Sequence, residues 1–183
     1  SDLLAMVDAS VGGKTGINFN GLKNEIGVFS PAEYVLIETE FLKTLDTQNL
    51  LSGYAEMLKH GLISTTRHWA ELLNFDMNHI DYKLLQTLVA ESVQIKENIV
   101  EQDPFEKGIR KALNLGHTVG HAFESLALET NRPVLHGYAV AWGIVCELYF
   151  SYLKTGFPKD KLRQTIQFIK DNYGVFVFDC KQY

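Results

Sequence analysis

The sequence predicts a mainly α domain of several helices, with a short β segment at its N-terminal end. Three observations carry this. Apolar residues recur every three or four positions over about 47–63, 82–101 and 159–171, the period of a helix with one buried face. Residues 138–154 are apolar on nearly every face, as in a helix buried all round. Glycine-rich and β-type stretches are confined to the first forty residues, so a subdomain boundary is expected near residues 39–46, separating 1–45 from 46–183.

Taken in order, Leu3 to Val7 is apolar and reads as the end of a helix. Asp8 to Asn18, DASVGGKTGIN, holds Gly12, Gly13 and Gly16 around Lys14. Glycines there let a ligand approach the main chain, but the spacing is not that of a Walker phosphate loop, and a plain turn explains it equally well. Strands near Thr15–Asn18 and Tyr34–Ile37 are expected to pair as a hairpin, with a turn at Ser30-Pro31 between them.

The first long helix, about Thr47 to Ile63, has the stripe Leu51, Tyr54, Ala55, Leu58 and Leu62. Glu56, Lys59 and His60 fall on a second face, where an exposed Glu–Lys pair is the plain reading. The next helix, about Tyr82 to Glu101, carries Lys96 on its apolar stripe, so that lysine must snorkel, pair with an acid or face a cavity. Asp103-Pro104 ends it. Tyr138 to Lys154 follows as the buried helix, stopped by Gly156 and Pro158, and Lys159 to Asp171 as an amphipathic one. Tyr173 to Phe178 is apolar and is read as a short strand or an edge.

Between these lies RKALNLGHTVGHAFE, Arg110 to Glu124. His117 and His121 are four apart and share a face if this is a helix. Arg110 and Asn114 join that face if the helix runs back that far. A cation, an amide and two imidazoles on one stripe suit an anionic, hydroxylated ligand. There is no HExxH zinc-protease pattern. Glu56, His117 and His136 come from three separate helices or helix starts and form a common zinc ligand set, but spacing alone leaves open whether they meet.

The 183 residues suffice for a real core; they are 46% hydrophobic and 21% charged, as in an ordinary globular protein. A net charge of −5 argues against a broad nucleic-acid or anionic-membrane surface. No run is long and apolar enough to span a bilayer, and no signal peptide opens the chain. Cys146 and Cys180 lack metal-motif spacing and read as free thiols of a reducing, cytoplasmic setting. The opening Ser1-Asp2 and the ending Lys181-Gln182-Tyr183 read as cuts inside a longer chain.

Five segments, LLAMVDASVGGKTGIN, LKNEIGVF, GYAEMLKHGLI, DPFEKGIRKALNLGHTVGHAFE and LHGYAVAWG, together resemble the 3-dehydroquinate synthase family in order and spacing, over most of residues 3–147. The resemblance implies the multi-helix C-terminal domain of the dehydroquinate synthase-like fold, preceded by the tail of a nucleotide-binding α/β domain in residues 1–45. It implies zinc, or cobalt in its place, on Glu56, His117 and His136. It implies a substrate pocket of Asp8, Lys14, Asn24, Lys59, Lys96, Arg110, Asn114 and His121. In that pocket Lys59, Lys96, Asn114 and His121 would be catalytic. Lys14, Asn24, Asn114 and His121 would favour the phosphate, and Arg110 the carboxylate. Asp8, Lys14 and Lys23 would lie toward NAD.

The implied activity belongs to the shikimate pathway that leads to chorismate and the aromatic amino acids. A lyase converts 3-deoxy-arabino-heptulosonate 7-phosphate to 3-dehydroquinate and phosphate by transient oxidation, elimination, reduction and aldol closure. The implied full-length enzyme is a cytoplasmic homodimer acting on a small sugar-acid phosphate. Three departures stand out. Tyr138 replaces the usual Glu after His-Gly, a C-terminal substrate lysine has no counterpart, and the dinucleotide glycine motif is missing, so the isolated chain is not expected to turn over. Alternatives are another sugar phosphate cyclase, a metal-dependent alcohol or glycerol dehydrogenase, and a helical interaction module with a relic site.

Overall fold

The computed structural model describes residues 2–19 and 22–177, and only the backbone at 18, 19 and 22–25. A single turn of π-helix, Ala5–Ala9, opens the chain and buries Met6 and Val7. The hairpin forms, but between β1 (Ile17–Phe19) and β2 (Leu22–Ile26), antiparallel with Ile17 opposite Ile26. Tyr34–Ile37 is not a strand, and Tyr34 and Leu36 are exposed. The nearer segment closes the shorter loop and takes the pairing.

Among the described residues six α-helices follow: α1 (Thr47–Ile63), α2 (Thr66–Leu73), α3 (Tyr82–Gln102), α4 (His117–Glu129), α5 (His136–Thr155) and α6 (Lys159–Tyr173). The expected spans of α1, α3, α5 and α6 hold to within two residues. α2 was not expected, although Thr65 caps it from its side chain and Trp69 and Leu72 form its buried face. Of the stretch Tyr173 to Phe178, read as a short strand or an edge, Tyr173 ends α6, residues 174–177 belong to no regular element, and Phe178 lies outside the described residues.

α1 is the axis of the fold. It packs against α5, α2, α3 and the π turn, so nearly every residue from Leu50 to Gly61 is buried. Buried tyrosines satisfy their hydroxyls on main-chain carbonyls: Tyr54 donates to Leu72 at 2.6 Å and Tyr173 to Leu51 at 2.7 Å. The expected surface pair is thereby overturned. Glu56, Lys59 and His60 are all buried, because neighbours cover the second face of α1 as well as its apolar stripe.

The helix that carries His117 and His121 does not run back to Arg110 and Asn114; it begins at His117. Residues Ile109–Asn114 form a 3₁₀ helix, and Gly116, at φ 80°, turns the chain between the two. A side chain there would strike the Val140 carbonyl and Ile144 of α5. Glu147 of α5 supplies the cap that the α4 sequence lacks, accepting from the N–H groups of Gly116 (2.8 Å) and Val119 (3.1 Å). Among the described residues no helix is long and apolar enough to cross a membrane.

Candidate active site and metal centre

Glu56 projects from the middle of α1 and is fully buried. Its carboxylate is paired with Lys59, one turn on, which is 1% exposed. His117 Nε2, at the first residue of α4, lies 3.3 Å from Glu56 Oε1. His136 Nε2, at the first residue of α5, lies 3.5 Å from the same oxygen. Both carboxylate oxygens are nevertheless without a hydrogen bond.

The donor set fits a tetrahedral metal. His117 Nδ1 donates to the Leu115 carbonyl at 3.2 Å, which leaves the Nε2 lone pair facing a carboxylate oxygen. His136 Nδ1 donates to Glu124 at 2.9 Å, the outer carboxylate that commonly orients a metal-binding imidazole. Two ligands about 2.0–2.1 Å from one tetrahedral zinc lie about 3.3–3.4 Å apart, close to the Glu56–imidazole separations. His121, Glu124 and His136 also converge. Glu124 Oε1 already accepts from His136, so the Glu56 set is the better cation site.

Glu56 is held well below the usual carboxylate range: burial opposes this, but Lys59, His117 and His136 outweigh it. Burial also disfavours a charged His136, yet Glu124 and Glu56 overcome it and raise the imidazole to about 9. The sign follows. In metal-free protein the raised His136 contributes stability that is full below about pH 6.5 and is lost as pH rises through about 9. Zinc must displace that proton. Its apparent affinity is therefore expected to climb by about tenfold per pH unit from pH 7 to 8.5. Chelator competition across that range checks it, and a flat profile rules it out.

Around this floor opens a cavity of about 360 Å³ lined by Asp8, Lys14, Lys59, Lys96, Arg110, Asn114, His117, His121 and His136, with Glu106 on its wall. Lys96 donates to both the carbonyl and the carboxylate of Asp8, the latter at 2.6 Å. Its place on an apolar stripe is thus explained by an acid and a cavity together, with no snorkelling. Burial lowers Lys96, with Asp8 opposing the shift. Asp8 is pushed up by burial and by the Glu56 charge, but Lys96 and Lys59 hold it below the usual range.

Arg110 is buried and donates to the carbonyls of Pro104 (2.8 Å) and Gly12 (3.3 Å), tying the glycine-rich loop to the 3₁₀ helix. Five N–H groups on the guanidinium leave donors over for a ligand. His121 stands edge-on to His117 at 5.5 Å and lies 3.9 Å from Glu124. The side chains of Lys23 and Asn24 lie outside the described residues. Tyr138 is not on the cavity wall; its ring packs against Tyr173 and Trp142.

Sequence reasoning missed two carboxylates of this site. Glu106 accepts from Lys14 at 2.7 Å and from Asn114 at 2.8 Å, and these contacts outweigh burial to keep it below the usual range. It reaches them from a positive φ of 56°, which spacing cannot reveal. Glu124 had a legible signal, being one helical turn beyond His121.

Comparison with known proteins places this geometry. Residues 53–182 match the model described as 3-dehydroquinate synthase C-terminal, and residues 1–52 match its N-terminal counterpart. A 3-dehydroquinate synthase of Parabacteroides distasonis is 59% identical over 99% of this chain and 51% of its own length. One from Streptococcus pyogenes is 41% identical over 90% of this chain and 45% of its own. The chain thus spans about half the length of these relatives.

Among solved structures, 2-epi-5-epi-valiolone synthase from Streptomyces hygroscopicus subsp. jinggangensis, with NAD+ and Zn2+ bound, superposes with a TM-score of 0.82 at 25% identity. The superposition covers 98% of this chain and 50% of that one. A 2-deoxy-scyllo-inosose synthase complexed with carbaglucose-6-phosphate, NAD+ and Co2+ shares the fold, with a TM-score of 0.79 at 23% identity over 94% of this chain and 47% of that one. Helical architecture, motif order and the two consecutive family matches agree: this chain belongs to the 3-dehydroquinate synthase family.

Proposed function

We propose that this chain forms the metal- and substrate-binding part of a 3-dehydroquinate synthase. The full-length enzyme would convert 3-deoxy-arabino-heptulosonate 7-phosphate to 3-dehydroquinate and phosphate. The observation that carries the reading is the buried Glu56 carboxylate facing His117 and His136, two imidazoles that line a cavity together with Lys14, Lys59, Lys96 and Arg110. The relatives' names support the substrate class, and the bound NAD+ with Zn2+ or Co2+ in the solved cyclases supports the cofactors.

Glu56, His117 and His136 would hold the zinc, which when bound polarises substrate oxygens and lowers the pKa of a coordinated hydroxyl. The cavity cations suit a ligand carrying both a phosphate and a carboxylate. Lys14 and Asn114 are held together through Glu106, so a phosphate oxygen can replace that carboxylate on the same two donors. Arg110 has spare parallel donors for the carboxylate. Lys96 spends two of its three donors on Asp8 and keeps one for a developing alkoxide. Lys59, paired with Glu56 and lining the cavity, adds a second fixed positive charge. The phosphate of the substrate can itself take the proton in the elimination, so the wall needs no further base.

Lys96→Met in the full-length enzyme is expected to lower kcat by about 10²–10³-fold, the cost of losing one preorganised donor to an alkoxide, while leaving zinc content unchanged. Steady-state kinetics with metal analysis check this; unchanged kcat would remove Lys96 from the chemistry. The reading also makes the full-length protein a cytoplasmic homodimer, and light scattering tests the dimer.

The function is tested with full-length protein, NAD and Zn2+, supplying the seven-carbon acid phosphate and following inorganic phosphate and NADH. Phosphate release with 3-dehydroquinate and no net NADH is expected. Turnover of neutral sugar phosphates instead would favour another cyclase. Net NADH from a polyol would favour a dehydrogenase, and inertness toward all of these a non-catalytic module.

A further inference from the structure

A second place in the molecule repeats the electrostatic signature of the Glu56 floor. On α2 and the first half of α3, away from the cavity, His68, Glu71 and Glu91 bring one ligand atom each within 4.8 Å of one another. His68 is fully buried, although its neighbours in this cluster are partly exposed. Its Nε2 meets Ser92 Oγ at 3.4 Å. Its Nδ1 is buried and makes no hydrogen bond, although Glu91 Oε2 is only 3.3 Å away.

That combination is informative. A carboxylate oxygen at this distance but off the ring's N–H axis is poorly placed to accept a hydrogen bond. It is well placed as the neighbouring ligand on a shared metal, since two ligands of one tetrahedral zinc stand about 3.3–3.4 Å apart. Glu91 divides its oxygens: Oε1 takes Arg67 at 2.5 Å, and Oε2 is left to face the imidazole. Arg67 also binds Glu71 Oε1 at 2.8 Å. The two carboxylates outweigh the single guanidinium, so the cluster keeps a net negative charge next to an unsatisfied imidazole nitrogen.

We infer that His68, Glu91 and Glu71 form a second divalent-metal site, of the zinc class, that clamps α2 to α3 independently of the site on Glu56. His68 Nδ1 and Glu91 Oε2 are its inner ligands, and Glu71 closes it from the solvent side. Water completes the coordination at the open surface. Arg67 competes with the ion for the same carboxylates.

The test is a Zn2+ titration of the full-length protein against a competing chromophoric chelator. Wild-type protein is expected to take up two zinc ions per chain. Glu56→Gln should keep one of them. Glu91→Gln and His68→Ala should each weaken the ion that Glu56→Gln retains by more than about tenfold, and leave the other in place. Arg67→Ala should tighten that same ion. Wild-type protein saturating at one zinc would overturn the inference, as would Glu91→Gln titrating like wild type. Should buried His68→Ala fail to fold, Glu91→Gln at its partly exposed position decides alone.

Discussion

Glu56→Gln in the full-length protein is expected to abolish tight zinc binding at the cavity site and to lower turnover by about 10³-fold or more. The amide keeps the shape but loses the charge that sits 3.3 Å and 3.5 Å from two imidazole nitrogens. Lewis-acid assistance is worth several kcal/mol, and each 1.36 kcal/mol is about tenfold in rate. A separate cost falls on folding, because Lys59, 1% exposed, loses the carboxylate it is paired with. Removing one partner of a buried pair costs about 3–5 kcal/mol. Glu56→Gln combined with Lys59→Met should therefore recover much of the stability and none of the zinc lost from the cavity site. Metal analysis alongside thermal melts separates the two effects. As much zinc in the single variant as in wild type would refute the ligand assignment, and the same test applies to His117→Ala.

The second large effect concerns a residue that touches no ligand. Gly137, next to His136, donates its N–H to Ser52 Oγ at 3.0 Å and sits directly on the main chain of α1. A Cβ there would fall on the Ser52 carbonyl, a backbone atom that cannot swing aside. Gly137→Ala is therefore expected to cost at least the 1–3 kcal/mol or so typical of overpacking. It should also move the start of α5 off α1, carrying His136 away from Glu56. The expected outcome is a lower melting temperature together with zinc affinity weakened by more than about tenfold. Wild-type zinc affinity in Gly137→Ala would show that the close contact does not position the metal site.

Helix existence was legible where periodicity was long. α1, α3, α5 and α6 follow from apolar spacing because a helix buries one stripe, and that stripe is written in the residue order. The start of α4 was not legible. Gly116 turns left-handed against α5, and the cap comes from Glu147, thirty-one residues away. The hairpin was legible as a pair of strands, but not its second strand, since Tyr34–Ile37 has strand-type residues and no strand pairs with it among the described residues.

The residue types of the site were present in the sequence, and the motif resemblance named Glu56, His117 and His136, which the structure brings together, and most of the cavity wall. Local spacing could place His117 beside His121, and Lys96 on an apolar stripe, because both facts concern one helix. It could not bury Glu56 and Lys59. Burial of the second face of α1 depends on what packs over it, and only the assembled α2, α3 and α5 supply that cover. Nor could spacing bring Asp8 to Lys96 or Glu106 to Lys14, contacts separated by 88 and 92 residues. Sequence by itself determined the long periodic helices α1, α3, α5 and α6 and marked Lys96 as a polar group that cannot rest in a plain core. Tertiary structure decided which polar groups meet, because long-range contacts are set by how helix faces pack and not by the period of any one of them.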